Sequence, residues 1–161
     1  MGVKFATVNV DLSAVTPVSA QMGDSDTDSS MLLTMASDAR RFLESFEWCK
    51  AVSEQYFGMG VGGVVAVFLC RITPATAEVD EWLWVVVGDV PFAFLVTEEA
   101  PTPLLALNAY VREMERWVQG AKTGGPVDDL IPVNVAATSE WGSRLESRLA
   151  FIRSEILRSR G

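Results

Sequence analysis

Carboxylates, tryptophans and one glycine cluster are the residues with chemistry to offer, because the chain holds no histidine. Three adjacent acid pairs, Asp80-Glu81, Glu98-Glu99 and Asp128-Asp129, supply material for general acid–base work. That work needs two carboxyls converging from different segments at a defined separation, and sequence neighbours do not converge. Glu81 and Glu98 would meet across a sheet only if its register allowed it, so the pairs read first as solvated turns. Hard-cation binding by the same groups lacks calcium-loop spacing. A serine triad has no base here, no Ser-x-x-Lys occurs, and Lys4, Lys50 and Lys122 fall in solvent-facing contexts.

Gly58-Met59-Gly60-Val61-Gly62-Gly63 is rich enough in glycine to cradle a phosphate. Such a loop must follow a strand and open a helix, so that the helix N-terminus meets the anion. Here the pattern predicts the reverse order, and no lysine follows at P-loop spacing. A helix stop, a turn and a close backbone contact are the plainer reading. Cys49 and Cys70 are the only cysteines and sit in apolar contexts. They behave as small hydrophobes of a reducing compartment, and with no C-x-x-C pair a zinc site lacks ligands. The sequence therefore calls for no cofactor and no metal.

The chain has 161 residues, 49% of them hydrophobic and 21% charged, with a formal net charge of −8. That length fits one domain able to bury its own core. Acidity argues against nucleic acid, whose binding rests on cations meeting phosphates. The one basic stretch, with Arg144, Arg148, Arg153, Arg158 and Arg160, is interleaved by Glu140, Glu146 and Glu155 and reads as a solvated helix face. No apolar run reaches the roughly 18 residues of a membrane span. Val18-Ser19-Ala20 resembles a signal-peptidase site, but Asn9 and Asp11 interrupt the apolar segment it requires. A cytoplasmic protein without a membrane or nucleic-acid partner is the expectation.

Periodicity supplies the elements that must position these groups. Val3 to Leu12 alternates like a strand, and Gln21 to Ser30 has linker composition. Residues 1–30 are thus expected to be a partly disordered N-terminal extension, and residues 31–161 a single α+β domain. Met35, Ala39, Phe42, Phe46, Cys49, Val52 and Tyr56 recur at three and four, which predicts one helix from about Ser30 to Phe57, stopped by Gly58. Val64 to Ile72, Glu81 to Val87 and Phe92 to Thr97 read as three antiparallel strands, the middle one apolar on both faces. Thr102-Pro103 opens a helix burying Leu104, Leu107, Val111, Met114 and Val118. Pro132 to Val135 suggests a short strand. A last helix from Thr138 or Ser139 buries Trp141, Leu145, Leu149, Ile152 and Ile156. The fold class is α+β, a three- to four-stranded antiparallel meander packed with three helices.

Trp84-Val85-Val86-Val87-Gly88-Asp89-Val90-Pro91, then Ala100-Pro101-Thr102-Pro103 and a helix ending in Arg116-Trp117-Val118, resembles small bacterial proteins of unknown function. Leu130-Ile131-Pro132-Val133-Asn134 fits the same pattern, and the resemblance covers roughly Arg40 to Leu157. It implies a bacterial source and a size class, and it implies no catalytic site.

Net acidity, missing catalytic residue types and aromatic surplus favour a non-enzymatic domain that binds another protein, the acidity suiting a basic one, with an immunity or antitoxin-like role as one concrete form. Trp48 beside Glu47, off the centre of its helix stripe, marks an expected interface. The alternative is a small-molecule binder or enzyme whose pocket is lined by Trp82, Trp84 and Arg71, with Arg71 otherwise paired to an acid such as Glu81. Asp89 reads as a turn former and remains among the candidate contacts. A homodimer through residues 31–57 is a further expectation, since so long a stripe exceeds what one sheet covers.

Overall fold

In the computed structural model, which describes residues 10–133 and 135–158, five strands follow one another across a single antiparallel meander sheet. They are β1 (Thr16–Pro17), β2 (Cys49–Val61), β3 (Val65–Pro74), β4 (Trp82–Gly88) and β5 (Ala93–Val96). Helix α1 (Asp26–Glu44) intervenes between β1 and β2. After β5 come α2 (Pro103–Thr123) and α3 (Ser139–Ile152), the latter continuing as a π-helical turn over Arg153–Leu157. The class is α+β with three helices, and the sheet has five strands rather than three or four. No helix among the described residues is long and apolar enough to cross a membrane.

The sheet is covered on both faces. On one face α1 packs Leu32, Met35, Ala39 and Leu43 against Phe68, Cys70, Leu83, Val85 and Val87. On the other, α2 packs Leu107, Val111, Met114 and Val118 against Val65, Val67, Leu69, Trp84 and Val86. Helix α3 adds Leu145, Leu149, Ile152 and Ile156 to that second cluster, lying along α2. Strand β4 therefore sends alternate residues into two cores, which is why both of its faces are apolar.

The helix expected from Ser30 to Phe57 is corrected: it ends at Glu44, and Cys49 onward is strand β2. The reason lies in the ladder. Bulges interrupt β2 between Cys49 and Ala51, between Val52 and Glu54, and between Phe57 and Met59. Each bulge inserts a residue, so side chains facing α1 fall three apart instead of two. Cys49, Val52 and Phe57 pack toward α1, and Gln55 Nε2 donates to the Ala36 carbonyl on that same side. A strand bulged this often imitates helical spacing. Gly58 accordingly caps nothing; a Cβ there would lie 2.9 Å from Pro103 Cβ, so it admits the first turn of α2 to the sheet. The homodimer expectation loses its long stripe, which is divided between α1 and β2.

Further differences are local. Residues 132, 133 and 135 have no strand geometry, while Asn134 lies outside the described residues. Trp141 is 39% exposed rather than buried, with the Arg144 guanidinium 4.7 Å from its ring centroid. The strand expected over Val3 to Leu12 lies outside the described residues as far as residue 9, and Leu12–Ala14 is a 3-10 turn. Packed structure reaches back before Met31: Val15 joins the α2-side core, β1 pairs with β2 through Thr16 and Pro17, and Ser25 caps α1.

Candidate functional site

A large apolar opening follows from where two elements stop. Helix α1 ends after Phe42, where the Ser45 hydroxyl donates to the Phe42 carbonyl at 2.6 Å. The chain then turns through Phe46 and Trp48 into β2. Across from this turn lies β5, the last strand of the sheet, with Phe92 before it and Phe94 inside it. Five rings meet there. Phe42 and Phe46 stand edge to face at 5.2 Å, Phe46 stacks on Trp48 at 4.8 Å, and Phe94 meets Phe46 at 5.4 Å and Trp48 at 5.0 Å. Phe92 closes on Phe42 at 5.9 Å. Edge-to-face and offset contacts of this kind fix ring orientation beyond what area burial alone does.

These rings form one wall of a groove of about 800 Å³, with Phe42, Phe46, Phe92 and Phe94 facing it. The opposite wall is Ile131, Pro132 and Val133, and Pro91 and Ala93 form the floor along the sheet edge. Tyr110 of α2 donates its hydroxyl proton to the Pro91 carbonyl, anchoring the start of β5, and burial pushes that phenol's pKa up. Acids lie beside each end in sequence: Glu47 between Phe46 and Trp48, Glu98 and Glu99 in the turn after β5, Asp128 and Asp129 just before Ile131. All five are exposed, and no cation pairs with them among the described residues.

Sequence reasoning pointed at part of this site. Trp48 does not line the groove; half-buried, it braces Phe46 and Phe94 from behind, with Glu47 exposed next to it. Phe42, Phe46, Phe92 and Phe94 were missed as contacts because phenylalanine on an apolar stripe reads as core. The available signal was their density around the proline-opened strand, Phe92 and Phe94 flanking Ala93 directly after Pro91.

The other candidates fall into two further places. Arg71 on β3 donates from Nε to Glu81 at 2.6 Å and from Nη1 to Glu54 at 2.7 Å, and lies 5.5 Å from the Trp82 ring centroid. Tyr56 donates its hydroxyl proton to the other oxygen of Glu54 at 2.6 Å. The Tyr56 hydrogen bond and then Arg71 hold the Glu54 carboxyl below its usual range, and Glu54 in turn raises the Tyr56 phenol. Two carboxylates do converge, but on an arginine that pairs with both of them. Trp84 is in the core and donates its indole N–H to the Ala100 carbonyl, away from Arg71 and solvent. The expected pocket of Trp82, Trp84 and Arg71 is thus not assembled.

Asp89 accepts a hydrogen bond from Arg148 Nε at 2.9 Å, joining the β4–β5 turn to α3. An open hollow of about 700 Å³ beside this pair is lined by Gly63, Ser147, Arg144 and Phe151. Arg144 is held by Glu140 at 3.2 Å, so both arginines are engaged within the fold. Cys49 and Cys70 are free and buried; burial raises both thiols, that of Cys70 to about 12. Among the described residues no group of three or more Cys, Asp or Glu is placed to hold a metal ion. Comparison of the chain with protein families, with curated proteins and with solved structures finds no match.

Proposed function

We propose that this chain is a non-enzymatic, acidic protein-binding module whose contact surface is the aromatic groove along β5. One observation carries the reading: four phenylalanines face an open apolar groove instead of being closed over by the chain. Each of these rings is half-buried, so it forgoes only a share of the burial it would gain if closed over, which is about 1.5–3 kcal/mol for a whole side chain. Open apolar grooves rimmed by polar groups are where partners dock. The acids next to groove residues in sequence, uncommitted to a cation among the described residues, and the net charge of −8 favour a partner carrying lysine or arginine around its apolar anchor. Two buried free thiols suit a reducing compartment, the cytoplasm. An immunity or antitoxin-like role is one form of this reading, the client then being a basic toxin.

The test compares capture from native lysate by the wild-type chain and by Ile131→Asp, which charges the groove wall without entering the ring cluster. A partner held by wild type, released by salt and lost with Ile131→Asp supports the reading. A partner held equally by both forms moves the contact elsewhere. Absence of any partner, with a small molecule raising the melting temperature of wild type alone, would give the groove to a ligand instead.

A further inference from the structure

The two edges of the sheet differ in a way that bears on how the groove is filled. Exposed edge strands carry unpaired N–H and C=O groups, and native proteins block them with proline, charge or bulges. The β1–β2 edge has all three: β1 is two residues long and ends in Pro17, and β2 carries its bulges together with Lys50 and Glu54. Strand β5 has none. Its sequence is Ala93-Phe94-Leu95-Val96, its ladder with β4 runs without a shift, and it holds no charge and no proline. Alternate residues of β5 turn their N–H and C=O away from β4. Among the described residues no backbone hydrogen bond from elsewhere reaches them, although the segment through Ile131, Pro132 and Val133 forms the far wall of the same groove.

Resting on the reading of the groove as a protein-binding surface, we infer that its occupant is an extended peptide segment that pairs with β5 as a sixth strand. Strand addition gives affinity through the main chain and specificity through alternate side chains. One set of side chains points to the face of Phe42, Phe46 and Phe94, where only large apolar groups fill the space between rings. The other set points toward Ile131 and Val133, on the face of α2.

Direction follows from charge. Every pair in this sheet is antiparallel, and antiparallel pairing is slightly the more stable per residue. In that orientation the N-terminal end of the segment meets the C-terminal end of β5, where Glu98 and Glu99 stand exposed. The segment is therefore one with lysine or arginine immediately N-terminal to alternating apolar residues.

A displayed library of random octapeptides, selected on the full chain, tests this. Selected sequences should carry basic residues before an alternating apolar run. A synthetic peptide with the basic residues moved to the C-terminal end should bind about fivefold more weakly, as expected for the loss of one or two screened charge pairs. Hydrogen exchange followed by NMR should show amides within residues 93–96 slowing on peptide addition, and N-methylation of alternate peptide amides should abolish binding. Peptides that bind without slowing those amides, or that carry apolar residues at helical spacing, would overturn strand addition while leaving the groove as the binding surface. Failure of any peptide to be selected would instead remove the protein-binding reading on which the inference rests.

Discussion

Arg71, Glu54, Glu81, Tyr56 and Trp82 have the composition of an active site and the connectivity of a clasp. Each oxygen and guanidinium nitrogen used in the cluster faces another member of it, and the cluster ties β2, β3 and the start of β4 together. Its value is therefore to stability, and it depends on pH with a definite sign. Glu54 has a lowered pKa in the folded chain, so its share is present above the ordinary carboxylate value and lost as pH falls through the folded one. Tyr56 has a raised pKa, so its share is present below the ordinary phenol value and lost as pH rises through the folded one. The two bracket a window of roughly pH 4 to pH 10. We expect Glu54→Gln to lower the melting temperature slightly near neutral pH, where the exposed pair is screened by water. The difference from wild type should begin to shrink below about pH 4 and vanish only once the pH falls below the lowered folded value. A deficit that persisted undiminished in acid would mean that the side chain contributes by packing and not by charge. The sequence raised Glu81 as a partner for Arg71; Glu54 was hidden because the helical reading of Ser30 to Phe57 did not place it beside β3.

Elements were legible where one physical rule governed them. Strands β3, β4 and β5 are read within a few residues because unbroken apolar runs bounded by a tight turn have few other solutions. Thr102 capping α2 and Thr138 capping α3 behave as their side chains dictate, each accepting from a backbone N–H three residues on. Strand β2 was not legible, since bulges give Cys49 and Val52 a spacing that sequence alone assigns to a helix face. Where α1 should begin was obscured by the acidic, serine-rich run, although Asp28 there does structural work. Its carboxylate accepts from Asp24 N at 2.9 Å and from Gly62 N at 2.6 Å, fastening the first turn of α1 to the β2–β3 hairpin. The glycine cluster serves this contact and the turn: a Cβ at Gly62 would lie 2.7 Å from that carboxylate, and Gly63 has φ +79°. Asp28→Ala leaves both amides without their acceptor. We expect it to cost about 1–3 kcal/mol in chemical denaturation, the penalty for orphaning the part-buried Gly62 donor, the exposed Asp24 amide being free to turn to water. Native-state hydrogen exchange should rise first at the Gly62 amide. A variant as stable as wild type would show that water replaces the carboxylate there.

At the scale of the whole molecule, charge and shape divide the labour of the proposed groove. Apolar rings and the sheet edge determine how long a partner stays, because that contact is short-ranged and desolvated. Acids next in sequence to the groove residues act at a distance set by screening, about 8 Å at physiological ionic strength. Glu98 and Glu99, exposed and uncommitted to any cation among the described residues, therefore govern how quickly a basic partner arrives more than how tightly it is held. The double variant Glu98→Gln/Glu99→Gln should reduce the association rate of a selected peptide several-fold at low salt, with its dissociation rate changed less. Raising the salt to about 1 M shrinks the screening length to roughly 3 Å, and wild type and variant should then associate at the same rate. Ile131→Asp makes the opposite pattern, because it damages the contact itself: faster dissociation at every salt concentration. If the double variant instead sped dissociation and did so equally at high salt, Glu98 and Glu99 would be direct, desolvated contacts, and the partner's basic residues would lie inside the groove instead of at its mouth.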